Sequence, residues 1–367
     1  MKKYDTQICF VSGQSVPNVT PIMDESVRPE KIILCATNAM RASACGLQAY
    51  FKRKSIESEI LELGDAYDFK ELKERFLELA STFDAPEKVA VNLTGGTKLM
   101  TIAAQEVFGE DFNLFYVIPE KDVIIMITNE NAPHYEIQDK IKIEDFFEIH
   151  GYKVNSIERK KNISSESRRL FEKLLPRMDE YAKAIGVLNG LAHEAWRKRS
   201  LQIRNEIPEA SWNMLALFQE HGAIEYYDDK KIIFRDESGR AFCNGFWLEE
   251  YVYLELRKWS DELALQDFAV SVEIENPHGV KNEIDAAFLH NNSLHLIECK
   301  TSRMNEKGAD VVYKMDTISG YAGLYTKGIL ISHRRLERHD NQRAKDLNIT
   351  VIQGNEINNL KKRLLPK

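Results

Sequence analysis

The chain lacks any apolar run approaching the roughly eighteen residues of a membrane span, and its first residues, Met1-Lys2-Lys3-Tyr4-Asp5, lack the apolar core of a signal peptide. The expectation is a cytoplasmic protein with no membrane partner. Cysteine is scarce and scattered. Cys9, Cys35, Cys45, Cys243 and Cys299 form no Cys-x-x-Cys pair and have no histidine at zinc spacing, so they read as small buried hydrophobes and argue against a zinc site. An excess of positive charge is also missing. Lys and Arg total 50 against 57 Asp and Glu, giving a formal charge of −7, so any nucleic-acid surface must be local. Neither Gly-x-x-x-x-Gly-Lys-Ser/Thr nor Gly-x-Gly-x-x-Gly occurs, which argues against a Walker-type nucleotidase and against a dinucleotide-dependent enzyme. Internal repeats and low-complexity tracts are absent.

What is present is a globular composition, 43% hydrophobic and 10% aromatic, over 367 residues, enough for two or three domains with sizeable cores. Residues 1–150 alternate between strands (7–12, 31–36, 57–63, 88–93, 113–118, 123–128) and helices (40–53, 69–81, 98–108). Continuous apolar strands separated by helices predict a parallel, Rossmann-like sheet covered on both faces. Ligands of such sheets sit at the carboxyl ends of the strands. There the chain places Ser12-Gly13-Gln14, Thr37-Asn38 and Thr94-Gly95-Gly96-Thr97-Lys98. In the last of these, glycines allow close backbone approach, a helix N-terminus offers N–H groups, and Lys98 adds a cation, which together suit a phosphate. A tight turn capped by Thr97 is the plainer alternative.

Residues 151–235 read as a linker. A charged helical stretch over 163–199 is followed by a short helix over 212–219 and a hairpin of 223–227 with 231–234, an order that predicts a small winged-helix-like insert. Such an insert could touch nucleic acid or act as a spacer between the flanking domains. His193 and His221 within it read as surface or partly buried fillers.

Residues 236–367 carry the densest chemistry. Leu294-His295-Leu296-Ile297-Glu298-Cys299-Lys300 reads as a strand, preceded by Asn282-Glu283-Ile284-Asp285-Ala286-Ala287-Phe288 as a second. Strand alternation puts Glu298 and Lys300 on one face. If 284–289 and 294–300 pair across residues 290–293, Asp285 converges on Glu298 only where the strands twist or splay. Asp285, Glu298 and the Cys299 carbonyl would then form an oxygen-lined site suited to Mg²⁺ or Mn²⁺, with Lys300 holding a water and stabilising a phosphate, chemistry that fits phosphodiester hydrolysis. Upstream, 246–256 reads as a helix in which Glu249 interrupts an apolar stripe with Gly245, Val252, Tyr253 and Leu256, while Glu250 lies one step round toward water, and the sequence leaves open which of the two acids faces the site. The last 67 residues hold 13 Lys/Arg against 7 Asp/Glu, a local basic excess that a phosphate backbone would use.

A helix bearing Gly-x-Trp-Leu-Glu, then Asp, then Glu-x-Lys resembles the PD-(D/E)xK restriction-endonuclease-like superfamily over residues 245–301, with Ile284 where the superfamily name has Pro. The resemblance implies that Asp285 and Glu298 are metal ligands, Lys300 the catalytic lysine and Glu249 an accessory acid. Asn92-Leu93-Thr94-Gly95-Gly96-Thr97-Lys98-Leu99-Met100, with Val11-Ser12-Gly13-Gln14-Ser15-Val16-Pro17-Asn18, is similar to the CARF sensing domain of CRISPR-associated ancillary nucleases. That likeness implies a homodimer binding one cyclic tetraadenylate across its two-fold axis and cleaving single-stranded DNA, RNA or both in type III CRISPR immunity. The competing reading is a nucleotide-sensing transcriptional regulator with an inactive nuclease-like domain. Four retained site residues, Glu249, Asp285, Glu298 and Lys300, disfavour it, since a dead site has no need to hold carboxylates together.

Overall fold

Apolar runs without alternation, such as Ile8-Cys9-Phe10 and Ile32-Ile33-Leu34-Cys35, demand cover on both faces, and the chain supplies it with helices on either side of a seven-stranded sheet. The computed structural model describes residues 3–128, 131, 133–160, 162–301, 308–321, 323 and 326–364. The first sheet contains β1 (Thr6–Phe10), β2 (Lys31–Thr37), β3 (Glu57–Leu63), β4 (Val89–Asn92), β5 (Asn113–Ile118), β6 (Val123–Met126) and β7 (Tyr135–Glu136). Its order is β3-β2-β1-β4-β5-β6-β7, parallel through β5 and antiparallel beyond. Helices α1 (Val16–Met23), α2 (Arg41–Arg53), α3 (Phe69–Ala80) and α4 (Lys98–Phe108) connect these strands. The edge strand β3 exposes Glu57 and Glu62 to water, charges that discourage pairing with another chain.

After α5 (Ile143–Ile149), strand β8 (Lys153–Glu158) lies within the segment expected as a linker, yet it pairs with β12 as the edge of the C-terminal sheet. The stretch expected as helical over 163–199 is broken. Pro176 lacks an N–H and sits in a 3₁₀ turn between α6 (Ser165–Leu174) and α7 (Met178–Glu194). Next come β9 (Ser200–Gln202), α8 (Glu209–Glu220), β10 (Ile224–Tyr227) and β11 (Lys231–Phe234), forming a small sheet of order β10-β11-β9. Helix followed by hairpin is thus present, with β9 as an additional strand that the sequence reading did not include.

The C-terminal part holds α9 (Glu237–Ala241), α10 (Trp247–Trp259), β12 (Asp267–Glu275), β13 (Lys281–His290), β14 (Ser293–Lys300), α11 (Gly308–Tyr321), β15 (Thr326–Ser332), α12 (Arg338–Asp346), β16 (Thr350–Gln353) and α13 (Leu360–Leu364). Its sheet runs β16-β15-β14-β13-β12-β8, with β14, β15 and β16 parallel and the rest antiparallel. The two domains share a core. Tyr50 and Phe51 of α2 and Phe146 and Phe147 of α5 belong to the same apolar cluster as Ala287, Leu289, Leu294 and Leu296 of the β13–β14 hairpin. Each fully buried Leu or Ile there contributes about 1.5–3 kcal/mol. No helix among the described residues is long and apolar enough to cross a membrane.

The hairpin turns more tightly than expected. His290 pairs with Ser293, leaving only Asn291 and Asn292 in the turn, both with positive φ (51° and 55°), the mirror-image turn that asparagine tolerates. Asn292 is also buried. Its N–H donates to Gln266 Oε1 at 2.6 Å, and its Nδ2 donates to the Pro119 carbonyl at 2.7 Å and to Asp122 Oδ1 in the turn after β5. Replacing Asn292 by Ala leaves buried partners unsatisfied at this junction, so chemical denaturation should show a loss of about 1–3 kcal/mol. Asn291→Gly at the exposed neighbour keeps the positive φ and should stay within about 0.5 kcal/mol of wild type. Equal effects of the two changes would refute this account of the junction.

Candidate functional site

The β13–β14 ladder ends at Ala286 and Ile297. Beyond it the strands part, and the Asp285 carboxylate takes the place of a backbone carbonyl by accepting the Cys299 N–H at Oδ2, 2.6 Å away. This is how Asp285 reaches the Glu298 end of the hairpin. Glu298, 6% exposed, accepts from Lys300 Nζ at 2.6 Å and pairs with Lys314 Nζ of α11 at 3.2 Å. Lys314 also donates to the Glu283 carbonyl at 2.8 Å, so it spans both strands. Sequence spacing did not reveal Lys314, which comes from a helix one crossover later.

The charges bias one another. Burial first, and then the Glu298 charge, pushes the Asp285 carboxyl above the usual range, while Lys300 and Lys314 oppose the shift. For Lys300 burial works toward a lower pKa, but Glu298 and Asp285 outweigh it and the ammonium is held more firmly than usual. The Cys299 thiol is pushed far up by burial, then by the fields of Asp285, Glu249 and Glu298. The field of Glu249 therefore reaches Cys299, the residue between Glu298 and Lys300.

Glu249 lines a cavity of about 900 Å³ together with Cys299, Lys300 and Thr301. Its neighbour Glu250 turns elsewhere and accepts from Ser167 Oγ at 3.3 Å. Glu249 is aimed by a sharp entry into α10. Gly245 adopts φ 123°, and a Cβ there would overlap Thr301 Oγ1, so α10 starts against the end of the β14 strand. The opposite wall, not anticipated, is α7, which contributes Lys183, Gly186, Asn189, Gly190 and His193, with Arg334 following β15. Among the described residues no group of three or more His, Cys, Asp or Glu side chains is arranged to hold a metal ion.

In the first sheet the three predicted loops follow the neighbouring strands β2, β1 and β4. Gly13, Asn38 and Lys98 are exposed, and Ser12, Gln14 and Thr37 partly so. The loop after β4 is organised by buried residues outside the predicted set. Asn92 donates from Nδ2 to the Pro17 carbonyl at 2.9 Å and accepts from Thr94 N–H at 3.0 Å and Thr94 Oγ1 at 2.6 Å, and Asn18 donates to the Phe10 carbonyl at 2.9 Å. Thr94 Oγ1 accepts the Val117 N–H at 2.8 Å, and Thr97 caps α4 by accepting the Met100 N–H at 3.2 Å. A Cβ at Gly95 would overlap the Phe10 carbonyl oxygen, and Gly96 has φ 81°. Both glycines therefore already have a reason within the chain.

Residues 6–146 match the family model of the Card1 CARF domain, and residues 236–367 match that of the Card1-like endonuclease domain. The chain thus joins a CARF domain to an endonuclease domain, both of the Card1 type. Among solved structures it is similar to protein VC1899 from Vibrio cholerae, with 26% identity, a TM-score of 0.84, and coverage of 98% of this chain and 96% of that one. Can2 from Sulfobacillus thermosulfidooxidans, solved with cyclic tetra-adenylate, shares the fold at 23% identity and a TM-score of 0.78, covering 98% and 96% of the two chains. A type III CRISPR defence DNA nuclease activated by cyclic oligoadenylate is similar at 16% identity and a TM-score of 0.55, over 96% of this chain and 49% of its own. No curated protein matches the chain in sequence.

Gly245→Ala tests how the two halves of the site are joined. The φ value alone should cost about 1–3 kcal/mol, and the overlap with Thr301 adds to it. Thr301→Ala in the same chain should recover part of the loss in thermal or chemical unfolding. No recovery in the double variant would mean that the Gly245–Thr301 contact does not set the α10 entry.

Proposed function

We propose that the chain is a cytoplasmic, metal-dependent endonuclease that cleaves single-stranded DNA, RNA or both, and that cyclic tetraadenylate binding to its CARF domain switches it on. The observation that carries this reading is the meeting of Asp285, Glu298 and Lys300 at the open end of one hairpin, beside a cavity that also admits Glu249, in a chain that carries a CARF domain. Asp285 and Glu298 are the hard oxygen donors that Mg²⁺ or Mn²⁺ prefers, and the raised Asp285 pKa is the electrostatic cost that a divalent cation would relieve. With few other carboxylates at hand, the Cys299 carbonyl serves as the third donor in this reading. A bound Mg²⁺ or Mn²⁺ would neutralise charge on the phosphate and ease deprotonation of the attacking water.

The protein residues supply the rest. Lys300, held by Glu298, orients the water and offsets negative charge as the phosphorane-like geometry develops. Glu249 sits across the cavity as an accessory acid that orients the water shell. In the sensor, Lys98 and the loops Ser12-Gly13-Gln14, Thr37-Asn38 and Thr94-Gly95-Gly96-Thr97 hold the cyclic ligand, one ligand between two copies of the chain. The differing affinity of that ligand for two dimer states is what can shift the nuclease between them.

A cleavage assay on labelled oligonucleotides with and without cyclic tetraadenylate tests the reading. Glu298→Ala and Lys300→Ala should each lower the rate by about 10²–10³-fold or more while activator binding persists. EDTA should silence the wild type, and added Mg²⁺ or Mn²⁺ should restore it. Lys98→Ala should move the activation curve to higher ligand concentration with a similar maximum. Wild-type cleavage by Glu298→Ala, or full activity without the cyclic nucleotide, would defeat the corresponding half of the proposal.

A further inference from the structure

Helix α7 belongs to the middle segment, outside both matched domains, yet one of its faces forms a wall of the cavity that Lys300 and Glu249 line from the other side. Lys183, Gly186, Gly190 and His193 recur at steps of three and four residues, so they form a single stripe. Three features of this wall bear on what the cavity can hold.

The first is Asn189, 7% exposed. Its Nδ2 donates to the Thr301 carbonyl at 2.5 Å, which fixes the amide orientation, and its Oδ1 is buried without a hydrogen-bond partner on a wall of the cavity. A buried acceptor left unmet is costly, and a ligand donor entering the cavity would satisfy it. The second is Gly190. Nothing lies within 4 Å of the position a Cβ would take, so this mid-helix glycine, a poor helix former, is not required by any neighbour. The third is Arg334. Its Nε donates to His333 Nε2 at 3.1 Å, its guanidinium lies over Gly186, where a Cβ would overlap it, and it lines the same cavity from the end of β15, next to the strand that carries Lys300. A guanidinium offers a fork of donors that matches phosphate oxygens.

We propose that α7 is the wall along which the substrate strand lies, with Arg334 binding a backbone phosphate, the bare surface at Gly190 admitting the strand, and Asn189 Oδ1 accepting a sugar hydroxyl or base amine. This rests on the nuclease reading above and extends it to a segment that the reading leaves without a role. Arg334 and Asn189 are binding and positioning residues here, and the phosphodiester chemistry stays with the β13–β14 hairpin.

The test uses the full chain. Binding of a labelled single-stranded oligonucleotide is followed by fluorescence anisotropy in EDTA, where turnover is blocked, and KM and kcat are then measured with Mg²⁺ or Mn²⁺ and saturating cyclic tetraadenylate. Arg334→Ala should weaken binding about tenfold, and Arg334→Lys, which keeps the charge but not the fork, should recover part of it. The slope of log affinity against log salt should fall by about 0.7 in Arg334→Ala, the contribution of one phosphate contact on a single strand. KM should rise more than kcat falls. Gly190→Leu should weaken binding while its melting temperature holds or rises, because leucine favours the helix. A purely structural role predicts the reverse, a lower melting temperature with normal binding. Wild-type affinity in both Arg334→Ala and Gly190→Leu, or no oligonucleotide binding by the wild type, overturns the proposal. Binding that depends on α7 in a chain that cleaves nothing would uphold it and defeat the nuclease reading instead.

Discussion

The β13–β14 hairpin is the constraint from which the rest of the molecule follows. Its strands sit in the middle of the six-stranded sheet, so each residue must satisfy an apolar layer on both faces, and Leu294, Leu296 and Ile297 do so with burial at or near completeness. One side packs on the cluster that contains Trp247 and Leu248 of α10, the other on the cluster shared with α2 and α5. Such a strand pair has no freedom to slide by one residue without exchanging its faces. Its tip is fixed as well, by Asn292. A ladder anchored at one end and buried on both sides can afford irregularity only at the other, and there Asp285 leaves the ladder and the carboxylates meet.

That irregular end is also where charge is concentrated. Burial first, and then the charge of Glu298, raise the Asp285 pKa, so the site holds its carboxylates at an electrostatic cost. Lys300 and Lys314 both pair with Glu298, so the site carries cations from β14 and α11 beside its carboxylates. Lys183 and Arg334 add positive charge on the far wall of the cavity. The formal charge of −7 thus coexists with a cavity whose lining carries Lys183, Lys300 and Arg334 against Glu249, because an overall balance says nothing about where particular side chains are placed. A phosphate backbone would meet the cleft rather than the average.

What the sequence made legible was local. Helix α4 and strands β3 and β5 begin and end at the residues their patterns predicted, since apolar periodicity and the Thr97 cap act over a few positions. The Glu298-x-Lys300 face followed from strand alternation, and the setting of Glu249 from an apolar stripe. What stayed hidden was set by packing across the chain. Lys314 meets Glu298 through a parallel crossover, β8 joins a sheet whose other strands begin more than a hundred residues later, and α7 reaches the cavity from the segment that read as a spacer. None of these has a local signature. Gly95 and Gly96 carry a different lesson, for the flexibility read as room for a ligand is already required by Phe10 and by a positive φ.

The same packing bears on how two domains act as one. Thr94 in the loop after β4 accepts the Val117 N–H of β5, the turn after β5 offers the Pro119 carbonyl and Asp122 to Asn292, and Asn292 closes the hairpin that ends in Asp285 and Glu298. Contiguity of this kind is spatial, and coupling additionally needs an element with two arrangements that both sites bias. The shared cluster narrows where such an element can be. Sliding α2 and α5 over the back of the sheet would expose Tyr50, Phe51, Phe146, Phe147 and the leucines they cover, a loss of several kcal/mol that one small ligand would have to supply through differential binding. Movement that keeps this core closed costs less. The parts free to rearrange at low cost are the exposed residues of the loops at the ends of β1 and β2, such as Gly13 and Asn38, whereas α7 is held by Ala184, Ile185, Leu188 and Ala192 in the cluster on the other face of the hairpin.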